Sequence, residues 1–158
     1  MNNRTVLDSQ FYFTNAISAN FRSDPRKKFS YNVIGNVGEY FGGSLFEFKA
    51  DFSLRLQPYG VVSVETDITK INLPEPLSNG ILYLISPRFD LTFTKKLFFT
   101  TFIQYNSQID NLNINSRLQW RFAPVSDFFL VYTENFYPDD FNTKGRSVIA
   151  KLTYWLNL

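Results

Sequence analysis

The chain has 158 residues, enough for a single domain, with 44% apolar residues and a net charge of +2. That charge is too small to point to a nucleic-acid partner. Cys and His are absent, which removes disulfides, thiolate and imidazole metal sites, Cys nucleophiles and Ser-His-Asp triads. What stands out is the aromatic share of 18%, with 18 Phe and 9 Tyr.

Period-2 alternation runs through the chain, and no stretch has a convincing helical period. The opening MNNRTVLDSQFYF lacks a basic n-region, an apolar h-region and a small-residue cleavage site, so it does not read as a signal peptide. No run of about 18 apolar residues offers a transmembrane helix. The first strand is expected over residues 9–22, with Phe11, Phe13, Ile17, Ala19 and Phe21 on one face. Ser23–Lys28 reads as a turn, opened by Asp-Pro and followed by solvated basic residues. A second strand over residues 29–41 keeps Phe29, Tyr31, Val33, Val37 and Phe41 in phase. Gly42-Gly43 then predicts a tight hairpin.

The stretch Ser44–Leu56 alternates throughout: Phe46, Phe48, Ala50, Phe52 and Leu54 against Glu47, Lys49, Asp51, Ser53 and Arg55. After the turn at Gln57–Gly60, Val62, Val64, Thr66 and Ile68 oppose Ser63, Glu65, Asp67 and Thr69. Leu73–Gly80 is a loop with two prolines, and residues 81–94 form the next strand. Lys95-Lys96 turns the chain into residues 98–106, and Ser107–Asn111 is a further loop. Residues 112–122 set Leu112, Ile114, Leu118, Trp120 and Phe122 against Asn113, Asn115, Arg117, Gln119 and Arg121. A turn at Ala123–Asp127 leads into FFLVYTENFY, which is apolar on both faces. The loop Tyr137–Gly145 precedes a last strand, Ser147–Leu158.

The expected fold is therefore all-β, an antiparallel meander of about nine long strands. Two environments produce such alternation. A soluble barrel or sandwich turns its apolar side inward. A membrane barrel turns it toward lipid and lines a wet lumen with polar residues. Strands of about 10–14 residues exceed the usual soluble mode of about 5–6 and suffice for a tilted membrane crossing. Aromatics recur near strand ends, as at Phe29, Tyr40, Tyr59, Tyr83, Phe99, Tyr105, Phe122 and Trp155, where interfacial girdles would place them. The chain also stops within an amphipathic strand, the position from which assembly machinery reads outer-membrane barrels. The membrane reading is preferred, and a soluble β-barrel binding module with an apolar ligand cavity is the alternative.

A resemblance supports that preference. Gln104-Tyr105-Asn106, Asn115-x-Arg117-Leu118-x-Trp120, Pro124-x-Ser126-Asp127 and Val131-Tyr132 follow one another in order. Together they resemble the C-terminal β-barrel domain, itself of unknown function, of Gram-negative outer-membrane proteins that carry an N-terminal module similar to family 9 carbohydrate-binding domains. The likeness covers the second half of the chain. It implies a domain, residues 1–158, that is the C-terminal part of a longer protein in the cell outer membrane. The implied partners are outer-membrane lipid, the barrel-assembly machinery acting on the last strand, and a polar solute or carbohydrate. The chain departs from the family at its end, where Leu158 stands in place of the usual aromatic.

Gln104, Asn106, Arg117, Gln119 and Arg121 are expected to share a polar face on neighbouring strands. They could bind or guide a polar solute such as a sugar. The favoured reading is structural, a hydrogen-bond and salt-bridge network completed by Asp127 or Glu134. Glu47, Asp51, Glu65 and Asp67 could be paired carboxylates for glycoside hydrolysis. Lys49 and Arg55 interleave with them, so cross-strand ion pairs are the simpler expectation. Pro124-x-Ser126-Asp127 is read as a turn, with the Asp bonding nearby backbone N–H groups. No catalytic residue, metal or cofactor is expected, and the function is expected to be that of a membrane anchor or pore.

Overall fold

The structure, a computed structural model, describes residues 14–156. They form one antiparallel sheet of nine strands in chain order, and no helix occurs among the described residues. The strands are β1 (Ala16–Arg22), β2 (Phe29–Tyr40), β3 (Gly43–Leu56), β4 (Gly60–Asn72), β5 (Gly80–Thr94), β6 (Leu97–Asn106), β7 (Asn111–Ala123), β8 (Ser126–Phe136) and β9 (Thr143–Thr153). Each is joined to the next by a hairpin, as expected from the alternating runs and their turns.

Most boundaries fall within a few residues of expectation. Phe11 and Phe13, assigned to the first strand, and Leu158, assigned to the last, lie outside the described residues. β9 starts at Thr143 rather than Ser147, because Phe136 already pairs with Thr143. The β2–β3 turn is shifted by one residue. Its two central residues are Phe41 and Gly42, both with positive φ (48° and 77°), while Gly43 already pairs with Tyr40. That is the type I′ geometry that suits the twist of a hairpin.

Register fixes which side chains share a face. Leu54 lies opposite Phe29 and Val62; Val62 lies opposite Phe89, and Phe89 opposite Thr101. Phe99 continues that face to Leu118, Leu130 and Ala150. The apolar set of every strand therefore lands on one side of the sheet. Small departures from the ladder occur at Thr92–Thr94, Arg121–Ala123 and Asn135–Phe136, each beside a turn or loop.

The apolar side is not a buried core. Ala50, at 1% exposure, is the one buried hydrophobic side chain among the described residues. Phe46 and Phe52 are 42% and 40% exposed, and Ile17 on β1 reaches 79%. On β5, Ile81, Tyr83 and Ile85 on the apolar side are exposed, while Leu82 and Leu84 on the other side are half-buried and Ser86 is buried. The polar side is the more enclosed there, as in a sheet that curls toward it.

Candidate functional site: the polar face

Strand parity puts the polar residues on the more enclosed side, and register decides which of them meet. Asn32 Nδ2 donates to Asp51 Oδ2 at 3.1 Å, and Asn36 Nδ2 donates to Glu47 Oε2 at 3.1 Å. Lys49 Nζ lies 3.3 Å from Asp67 Oδ2 on the neighbouring strand, one of the cross-strand ion pairs expected there. Arg88 Nε donates to Asp90 Oδ2 at 2.8 Å, and Thr100 Oγ1 donates to Asp90 Oδ1 at 2.9 Å. Further along, Asn113 Nδ2 and Asn111 Nδ2 both donate to Asn135 Oδ1, at 2.9 and 3.1 Å. Asn115 Nδ2 donates to Thr133 Oγ1 at 2.7 Å. Such a ladder satisfies polar groups laterally, strand to strand.

The five residues singled out from sequence do share this face, but they do not form one site. Gln104 lies opposite Asn113 and Asn106 opposite Asn111, at the loop end of β6 and β7. Gln119 and Arg121 lie at the other end of β7, with Arg117 between. Asn113 and Gln119 are six residues apart on one strand, about 20 Å at the usual rise. At the far end Gln119 Nε2 donates to Asp127 Oδ1 at 3.1 Å, and Arg121 Nε is 3.6 Å from the same oxygen. Arg121 also covers the Phe98 ring, 4.9 Å from its centroid. Asp127 thus completes the network as expected.

Glu134 does not join it. It lies opposite Ile114 and Arg146 on the apolar side. There its carboxylate, only 4% exposed, accepts from Arg146 Nε at 2.9 Å, from Thr143 Oγ1 at 2.7 Å and from the Tyr132 hydroxyl. The backbone role expected of Asp127 is taken by Ser126, whose Oγ donates to the Pro124 carbonyl at 3.2 Å and accepts from the Trp155 N–H at 3.1 Å. The turn itself is made by Pro124 and Val125, the latter at φ 54°.

Two shallow depressions lie along the polar face. One, of about 250 Å³, is lined in part by Arg22, Asn32, Asp51 and Glu65. Asp51 and Glu65 are direct cross-strand neighbours. Asp51 is held by Asn32, so the carboxylate set is only partly neutralised by cations. The other, of about 200 Å³, joins Asp67, Thr69, Asn106 and Gln108 beside the β6–β7 loop. Its Asp67 Oδ1 is buried without a hydrogen-bond partner. The sequence marks Asp67 as one of four carboxylates and Thr69 only as a residue of the same polar run; neither is grouped with Asn106 there, because that proximity depends on the β4–β5–β6 register. Among the described residues no group of His, Cys, Asp and Glu is arranged to hold a metal ion. The arrangement can hydrogen-bond a polar solute through amides, hydroxyls and carboxylates. Comparison with protein-family models, curated proteins and solved structures finds no match.

Proposed function

We propose that the chain is a membrane-spanning β-sheet domain of a Gram-negative outer membrane, acting as an anchor or as the wall of a pore for a polar solute such as a carbohydrate. The observation that carries this reading is the distribution of exposed apolar side chains. Within the strands they lie almost entirely on one face, from Ile17 and Phe21 through Phe29, Phe52 and Tyr83 to Trp120 and Leu152.

Magnitudes favour lipid over water on that face. Covering a half-exposed side chain of this size is worth on the order of 1 kcal/mol. Summed over roughly fifteen such residues, the gain matches the whole stability of an ordinary domain, about 5–15 kcal/mol. The polar face needs no such cover, because many of its groups bond one another and its exposed ones are suited to water. The middle of the apolar face is mostly small or aliphatic, with Ala19, Val33, Gly35, Ala50, Val64, Ile85 and Ile103. Aromatics lie toward the strand ends, at Phe29, Tyr31, Phe93 and Trp120 on one side and Phe46, Tyr83, Tyr105 and Phe136 on the other. An apolar band between two aromatic girdles has this order.

The resemblance of residues 104–132 to outer-membrane barrel domains agrees with the reading. The test is partitioning. The protein should sediment with outer membranes and need detergent for extraction. A monodisperse, detergent-free monomer at high concentration would overturn the proposal.

A further inference from the structure

The two ends of the sheet differ in charge. The turns β1–β2, β3–β4, β5–β6 and β7–β8 lie together at one end. Residues 22–28, 55–59, 94–97 and 121–127 there carry eight Lys or Arg against two Asp. At the opposite end, residues 39–44, 70–80, 106–111 and 136–144 carry five Asp or Glu against two Lys.

The cations of the turn end are mostly unspent. Arg26 pairs with Asp24 at 3.4 Å, and Arg121 with Asp127. Lys27, Lys28, Arg55, Lys95 and Lys96 form no ion pair among the described residues. The Arg55 N–H donates to the Lys28 carbonyl at 2.8 Å, which holds two adjacent turns side by side. Between them Arg26, Lys28, Arg55 and Gln57 line an open cleft of about 270 Å³. The exposed Phe29, Tyr31, Leu54, Leu56, Phe93 and Trp120 of the apolar face end against this basic rim.

We infer that this end is a docking surface for anionic phospholipid headgroups. The inference rests on the membrane-spanning reading and adds the lipid class. Along the strand axis, apolar side chains give way to aromatics and then to unpaired cations. A bilayer presents acyl chains, an interface and phosphates in the same order. Juxtamembrane Lys and Arg are drawn to anionic leaflets in this way. The turns here are mostly the shorter connections, the kind that barrels place on the periplasmic side. A nucleic acid would need cations away from the apolar belt, whereas these are continuous with it.

The chain carries its own reporters, since its two tryptophans, Trp120 and Trp155, both lie at this end. The protein is reconstituted into phosphatidylcholine bilayers containing a fixed fraction of either brominated phosphatidylglycerol or brominated phosphatidylcholine. The anionic quencher should reduce tryptophan fluorescence roughly twofold more than the neutral one. High salt should erase that preference. The variant Lys95→Gln/Lys96→Gln, beside Trp120, should lose it while quenching by the neutral lipid stays the same. Equal quenching by both lipids would overturn the inference and leave the membrane reading standing. No quenching by either lipid would sink the membrane reading itself. A preference that survives both in that variant and in Lys27→Gln/Lys28→Gln would also overturn the inference. So would its loss when inorganic phosphate replaces chloride at equal ionic strength, which would point to a free-phosphate site.

Discussion

A Cβ placed on Gly43 would lie 2.0 Å from the Asn72 carbonyl oxygen, whereas one on Gly35 meets nothing within 4 Å. Both glycines are in strands, yet only Gly43 marks a close approach of backbone to backbone, where β3 opens against the end of β4. Gly43→Ala should cost about 1–3 kcal/mol, the usual range for overpacking. Gly35→Ala should be neutral or stabilise by about 0.4–1 kcal/mol, because it lowers the entropy of the unfolded chain. Urea unfolding in lipid vesicles measures both, and a reversed order would contradict the close approach of Gly43 to Asn72. The same assay separates the two faces of β3. Phe48→Arg puts a cation on the apolar face and should cost about 2–4 kcal/mol if that face meets lipid near the midplane. Lys49→Gln removes one partly exposed ion pair with Asp67 and should cost at most about 1 kcal/mol. If Lys49→Gln proves the costlier change, the faces are assigned backwards.

At the level of the strand, β8 and β9 pose a question that parity alone cannot answer. FFLVYTENFY is apolar on both faces, so the sequence leaves open which side Glu134 takes. The pairing of Glu134 with Arg146 decides it in favour of the apolar face. There Arg146, Thr143 and Tyr132 supply the carboxylate with donors that lipid could not. Arg146→Met should therefore destabilise the β8–β9 hairpin, and adding Glu134→Leu should restore much of the loss. A double variant no more stable than Arg146→Met alone would show that the two residues are not coupled. Elsewhere alternation makes most elements legible as period-2 runs bounded by turn residues, whereas β8 is legible as an apolar run between two turns. The misplaced β2–β3 turn has a physical cause. Two adjacent glycines look like the centre of the turn, but Phe41 accepts the positive φ and Gly43 serves the close approach instead. The polar set of Gln104, Asn106, Arg117, Gln119 and Arg121 was legible as a face, since facing depends on parity. Parity says nothing of distance along a strand, and the six-residue separation of Asn113 and Gln119 puts the set at two ends of the β6–β7 hairpin. Deleting Tyr154–Leu158 removes Trp155, whose N–H donates to Ser126 Oγ, and should block membrane assembly without affecting synthesis. Normal surface levels by protease accessibility on intact cells would show that this segment is not the assembly signal.

Nine strands in an antiparallel meander place β1 and β9 in the same direction. Among the described residues β1 pairs with β2 and β9 with β8, so each presents one unpaired edge. Edges of this length are normally blunted, covered or closed. Direct closure of β1 on β9 would be parallel, against eight antiparallel pairings elsewhere. An antiparallel ring takes an odd number of further strands between these edges, whatever polypeptide supplies them, and so reaches the even count of single-chain bacterial barrels. The two geometries can be told apart because the chain has no cysteine of its own. In the membrane-assembled protein, Ser18→Cys with Asn36→Cys and Thr133→Cys with Ser147→Cys join direct cross-strand neighbours and should cross-link with a short bis-thiol reagent. Ser18→Cys combined in turn with cysteine at Ser147, Ile149 or Lys151, which share the polar face of β9, should not cross-link. Intervening strands add about 4.8 Å each, and even one places the two edges about 10 Å apart. A high-yield link in any of those three pairs would mean that β1 and β9 close directly on one another, with parallel pairing at the seam.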